Sequence, residues 1–185
     1  MESPPAVTGA TPPSPTGEVV RWLDPAEQRV WRSFLDASRL LFDALDRQLQ
    51  AEAGMPHAYY EILVRLSEAG DRTMRMSDLA DSLSSSRSRL SHAVARLERH
   101  GWVVRATCPS DGRFTIATLT DAGHEKLAAA APGHVAAVRQ LVLDAVGPDE
   151  LAVLGTLADK ILEGSSGPCG SSGCPTSTPE PGRSG

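Results

Sequence analysis

Residues 76–119 read MSDLADSLSSSRSRLSHAVARLERHGWVVRATCPSDGRFTIATL, and the order of patterns in this stretch decides the fold. Met76 to Leu83 places Leu79, Ala80 and Leu83 on one side of a short helix, with Ser77 as its cap. Ser84, Ser85 and Ser86 follow as a polar turn. Residues 87–100 carry Leu90, Val94 and Leu97 at helical spacing, and Gly101 stops the helix. The hydrophobic period then shortens to that of a strand. Trp102–Ala106 and Phe114–Leu119 read as the two arms of a hairpin, with turn residues around Asp111 and Gly112 between them.

The flanks are helical. Asp24, Pro25 and Glu27 form a helix start, with a capping aspartate, a proline at the first position and a glutamate three residues after the cap. Trp31, Phe34, Leu35, Leu41, Phe42, Leu45 and Leu49 then recur at helical period to about residue 52. At 1.5 Å per residue this helix is roughly 40 Å long, which for a small domain suggests packing against another subunit. Gly54 and Pro56 end it, and a second helix over 57–69 turns Tyr60, Leu63, Val64 and Leu66 inward. After the hairpin, Thr120 caps a helix to about residue 146, which Pro132 should kink or break. A last helix starts at Pro148, Asp149 and Glu150 and stops at Gly164. A short helix, a turn, a second helix and a β-hairpin make a winged helix-turn-helix. The expected fold is mostly α with a small β-hairpin wing, joined to dimerisation helices.

The ends differ from this body. Residues 1–17 hold five of the 14 prolines, and residues 164–185 are almost wholly Gly, Ser, Pro and Thr. Neither end can bury enough apolar surface to offset chain entropy, so both are expected to be disordered. Residues 18–163 remain as the folded domain, with the lobe that holds the helix-turn-helix and its wing at about 57–119. No run reaches the roughly 18 apolar residues of a membrane helix, and the first residues carry neither basic nor apolar signal-peptide regions, so the expected location is the cytoplasm, away from membranes. Three cysteines fit that compartment better than a disulfide scaffold.

The net charge of −5 argues at first against nucleic acid. Its distribution argues the other way. Arg72, Arg75, Arg87, Arg89, Arg96, Arg99, Arg105 and Arg113 face only Asp78, Asp81, Glu98 and Asp111 between residues 72 and 113, a basic segment in an acidic body. In the helix 87–100, the face opposite the apolar seam carries Ser88, Ser91, His92, Ala95 and Arg99, with Arg89 and Arg96 flanking it. Small polar groups near the start of a helix suit entry into a major groove, and no acid precedes Glu98. Arg87 and Arg89 stand where unpaired backbone amides already favour phosphate. In the hairpin loop, Arg113 is of the type that enters a narrow minor groove, and Asp111 can aim it.

Met76–Ala80, Ser86–Glu98, Gly101–Arg105, Asp111–Arg113 and Leu119–Gly123, in that order, resemble the successive blocks of the MarR (multiple-antibiotic-resistance regulator) family over roughly residues 24–163. The resemblance implies a homodimer whose first and last helices intertwine, a wing in the minor groove, and often an effector pocket between dimer helices and DNA-binding lobe. It carries a groove role onto Ser88, Ser91 and His92, and a wing role onto Asp111 and Arg113. Many relatives have a second basic wing residue where this chain has Gly112. Dimer contacts are expected from Trp22, Leu23, Trp31, Phe34, Leu141, Val142, Leu154, Leu157 and Ile161. Trp31, Tyr59, Tyr60 and His134 are candidates for the lining of a small-molecule effector pocket, or for core and dimer packing.

Nothing catalytic stands out: there is no phosphate-binding loop, no nucleophile elbow and no spaced acid pair in a plausible cleft. The five histidines are scattered, and Cys169 and Cys174 lack further ligands, so neither metal nor cofactor is expected. Cys108 at the wing base reads as a spectator thiol or, with Arg105 stabilising a thiolate, as a redox-sensitive one. The expected function is a sequence-specific double-stranded DNA-binding regulator, most simply a repressor on a near-palindromic operator. The alternative is a winged-helix protein-interaction module without DNA binding.

Overall fold

The capping box at the start of the first helix forms as its residue types dictate. Asp24 Oδ1 accepts the amides of Ala26 and Glu27 at 2.7 and 2.9 Å, and Glu27 Oε2 accepts the Asp24 amide at 2.8 Å. Helix α1 then runs Pro25–Ala53. In this computed structural model, which describes residues 20–108 and 111–165, the elements continue as α2 (His57–Glu68), β1 (Thr73–Arg75), α3 (Met76–Ser82), α4 (Arg87–Arg99), β2 (Val103–Thr107), β3 (Thr115–Leu119), α5 (Asp121–Val138) and α6 (Pro148–Ser165). The chain forms two compact units, Met1–Ala137 and Val138–Gly185.

The first unit holds a core built from the apolar seams of its helices and the inner face of its sheet. Leu49 from the end of α1, Met55 from the turn after it, Leu63 and Leu66 from α2, Leu79 from α3, and Leu90, Val94 and Leu97 from α4 are fully or almost fully buried against Val103, Ala117 and Leu119. No polar or charged residue is buried among the described residues. Only the last half of α1 takes part in this core; Val30, Trp31 and Phe34 in its first half are exposed. In the second unit, α6 leaves Leu154, Leu157 and Ile161 exposed.

Four details depart from the sequence reading. The sheet has three strands in the order β1-β3-β2, all antiparallel, because Thr73–Arg75 pairs with Ile116–Thr118. Three residues are too few to display an alternating period. Ser77 does not cap α3: its hydroxyl bonds the Asp78 carboxylate at 2.9 Å, and Arg75 occupies the cap position without a side-chain bond. Helix α5 continues through Pro132 and ends at Val138, followed by a wider π turn over Arg139–Leu143. The carbonyl that loses its donor to Pro132 belongs to the exposed Ala128, where water can take it. Arg105 binds Glu98, a partner not read from the sequence, as described below.

Thr120 does cap α5, accepting the Gly123 amide at 3.0 Å while donating its hydroxyl to the Gly101 carbonyl at 2.7 Å. One threonine thus ties the start of α5 to the turn that ends α4. Gly101 there takes φ +73°, the left-handed conformation that a helix-ending glycine adopts without strain. Of the chain ends expected to be disordered, residues 1–17 and 166–185 lie outside the described residues, while Gly164 and Ser165 continue α6. Cys169, Cys174, Pro109 and Ser110 also lie outside them.

Candidate nucleic-acid interface

Helix α4 is fixed from both sides. Ser86 accepts the Arg89 amide at its start, and the seam of Leu90, Val94 and Leu97 sinks into the core. The opposite face is left to solvent: Ser88, His92, Arg96 and Arg99 are exposed, and Ser91 and Ala95 half-buried. No acid occupies its first turn.

The wing is a built arrangement rather than a solvated loop. The Cys108 amide donates to the Phe114 carbonyl at 2.8 Å, closing the hairpin beyond β2 and β3. Asp111 accepts the Arg113 amide at 3.1 Å, its Nε at 3.0 Å and its Nη2 at 2.8 Å, a bidentate grip of the kind the carboxylate and guanidinium geometries favour. The side chain of Arg113 stays 84% exposed while that of Asp111 is 27% exposed, so the carboxylate is tucked in and the cation points outward. The Arg113 hydrogen bonds hold the Asp111 carboxyl below its ordinary range, with a smaller contribution from the charge of Arg75, and Asp111 in turn raises Arg113. Two guanidinium groups share the ring of Phe114: that of Arg75 at 4.4 Å from the centroid and that of Arg113 at 5.8 Å.

Between α4 and the wing lies an open cleft of about 560 Å³, lined by Met76, Ser77, Arg87, Ser91, Arg105, Arg113, Phe114 and Thr115. It brings together Arg87, Ser91 and Arg113 of the sequence-derived set. Ser88, His92, Arg96 and Arg99 lie outside its lining, on the exposed side of α4. Arg89 lines a separate groove of about 210 Å³ against α2, beside Glu61 and Ser84. Arg75, Ser77, Phe114 and Thr115 were not among the sequence-derived candidates; with β1 unread, nothing placed Arg75 beside the wing. Arg105 donates its amide and Nε to Glu98 at 2.9 and 2.8 Å, which ties β2 to the end of α4. Those bonds lower the Glu98 carboxyl.

The four effector-pocket candidates separate. Tyr60 and His134 are in ring contact at 4.4 Å, and His57 stands 5.5 Å from His134. These three line a cavity of about 220 Å³ with Glu61, Val64 and Arg65. Trp31 stacks on Phe34 at 6.1 Å instead, and Tyr59 packs half-buried against the core. The Nδ1 of His134 is buried without a hydrogen-bond partner among the described residues. Burial, and then the charge of His57, push the His134 imidazole below its ordinary range.

A folded pKa below the unfolded value of about 6.5 means that the unfolded chain takes the proton first. The stability contributed by neutral His134 is therefore present above about pH 6.5 and is lost as pH falls toward its folded value. In urea titrations the unfolding midpoint should drop from pH 7.5 to 5.5, and His134→Gln should drop less. Equal drops in both proteins would remove His134 as the cause.

The family model of the MarR family matches residues 53–113. The chain is 52% identical to Sco3205, a MarR family transcriptional regulator from Streptomyces coelicolor solved in complex with DNA; the match covers 82% of this chain and 94% of that one, with a TM-score of 0.79. It is 43% identical to AbsC, another MarR family transcriptional regulator from Streptomyces coelicolor, over 78% of this chain and 97% of that one, with a TM-score of 0.74. It is also 28% identical over 101 residues to the transcriptional repressor MprA of Escherichia coli K12, covering 55% of this chain and 57% of that repressor, so it spans just over half the length of that curated relative. The three-stranded winged helix and an identity of 52% across nearly all of Sco3205 carry the same conclusion: the chain belongs to the MarR family of transcriptional regulators.

Proposed function

We propose that this chain is a cytoplasmic, homodimeric transcriptional regulator that binds double-stranded DNA in a sequence-specific way and represses by occupying a near-palindromic operator. The observation that carries the reading is the exposed small polar face of α4, Ser88, Ser91 and His92, set beside an outward Arg113 that Asp111 aims. In this reading α4 enters the major groove, and Ser88, Ser91 and His92 meet base edges. Arg87, Arg89, Arg96 and Arg99 meet phosphates, and Arg113 enters the minor groove. The complex of Sco3205 with DNA supports the same partner for this chain.

A second copy covers the apolar residues that each unit leaves exposed, Trp22, Trp31 and Phe34 in one and Leu154, Leu157 and Ile161 in the other. Two-fold symmetry then sets the recognition helices roughly 34–36 Å apart. A small molecule held by His57, Tyr60 and His134 acts as the releasing effector. The domain reading stays as derived from the sequence, with residues 18–163 as the working body. Among the described residues no helix is long and apolar enough to cross a membrane. The chemistry assigned to the chain is recognition and not catalysis.

Selection of genomic fragments on the immobilised protein, followed by sedimentation of the free chain, tests this. Enrichment of a two-fold symmetric sequence by a dimer is expected. A monomer at concentrations that bind DNA, or no enrichment over bulk fragments, overturns the proposal. On the selected operator, His92→Ala should cost on the order of 1–3 kcal/mol per half-site and relax preference at one base position. An equal loss on operator and scrambled DNA would make His92 a phosphate contact instead.

A further inference from the structure

The hairpin loop presents to DNA a single outward cation, Arg113, which brings its own counter-charge in Asp111. That loop has direction but only one phosphate-neutralising charge, partly offset by the carboxylate that aims it. The neighbouring arginines of the sheet are spent in the same way: Arg72 pairs with Asp121 at 3.1 Å, and Arg105 with Glu98. Among the described residues, Arg75 is the cation of this group without a carboxylate partner. It comes from β1, where pairing with Ile116 sets it next to the wing's second strand. The ring of Phe114 holds its guanidinium at 4.4 Å, so the charge is positioned without an ion pair, with only a small Coulomb pull from Asp111 acting on it. The same ring lines the cleft between α4 and the wing.

We propose that Arg75, held on Phe114, is the second cation of the wing and takes a phosphate of the strand that separates the two grooves. The inference rests on the DNA-binding reading above. With α4 in a major groove and the wing in the adjacent minor groove, the sugar-phosphate strand between them must cross the cleft. Arg87 stands in the lining contributed by α4, and Phe114 with Arg75 stands at the wing end. A cation from β1 thereby supplies what Gly112 does not. The sequence separation between Arg75 and Gly112 hides this from any reading of the loop alone.

The test is a salt titration by fluorescence anisotropy, using the operator duplex recovered by genomic selection and a scrambled duplex. Arg75→Gln should reduce the slope of log affinity against log salt by about 0.9 per subunit, and lower affinity by similar factors on both duplexes. Arg75→Lys should keep the slope, since the charge remains. Urea unfolding midpoints accompany each variant. If Arg75→Gln proves poorly folded, Phe114→Leu takes its place; it keeps the charge but releases it, and should lower affinity at an unchanged slope. Wild-type protein that binds no duplex overturns the DNA-binding reading itself. Wild-type binding with an unaltered slope in Arg75→Gln, or unaltered affinity in Phe114→Leu, overturns this inference alone.

Discussion

Arg113→Ala should weaken binding to operator and scrambled DNA alike and flatten the salt dependence of both. Arg113 is the most outward charge of the wing, and Asp111 fixes its direction through two side-chain bonds. A guanidinium so held gives up little further freedom when it reaches a phosphate or a narrow groove. Removing one phosphate-neutralising cation lowers the slope by about 0.9, so the slope for a dimer should fall by about 1.8. Between about 50 and 200 mM salt the advantage of wild type over the variant should then shrink by about tenfold. Asp111→Asn tests the aiming separately. It keeps the arginine but removes the bidentate acceptor, so affinity should fall less than in Arg113→Ala. Salt slopes that coincide for wild type and Arg113→Ala would mean that Arg113 does not touch DNA.

Gly123→Ala should be the most damaging single methyl in the described body. A Cβ at Gly123 would lie 2.1 Å from the carbonyl oxygen of Trp102 and 2.7 Å from Leu119 Cδ1. The Trp102 oxygen is backbone, held by the Thr120 amide at 3.1 Å, and Thr120 itself bonds Gly101. Relief therefore requires α5 to lift from the base of the hairpin, which would break the threonine clamp. Alanine normally gains about 1 kcal/mol over glycine inside a helix, but overpacking of this kind costs about 1–3 kcal/mol and sometimes more. The expected net result is a destabilisation on the order of 2 kcal/mol in urea unfolding. Gly133→Ala, in the same helix, is the contrast. Its Cβ would meet Glu52 Oε2 at 2.2 Å and Gln48 Nε2 at 3.1 Å, both ends of flexible side chains that can swing away. That variant should be neutral or slightly more stable. Two variants of equal stability would show that the obstacle at Trp102 yields easily.

What was legible from the sequence is what neighbours along the chain decide. The capping box at Asp24, the glycine stop at Gly101 and the Thr120 cap each depend on residues a few positions apart, and each forms as read. The seam of Leu90, Val94 and Leu97 likewise follows from helical spacing, and that seam dictates which side of α4 faces outward. These local patterns determine the order of elements and the placement of Ser88, Ser91, His92, Asp111 and Arg113 on the side of the fold away from the core. The tertiary structure alone decided the rest. Thr73 and Thr118 share a hydroxyl contact of 2.9 Å across 45 positions, and that pairing creates β1. No periodicity can be seen in three residues. The same pairing delivers Arg75 to Phe114. Glu98 receives Arg105 because the hairpin folds back along α4. His134 reaches Tyr60 and His57 because α5 returns past α2, while Trp31 stays with its own helix neighbour Phe34. Caps and seams are local choices of backbone and face, whereas charge pairing and cavity lining depend on which distant surfaces meet, and that is set by packing the whole core at once.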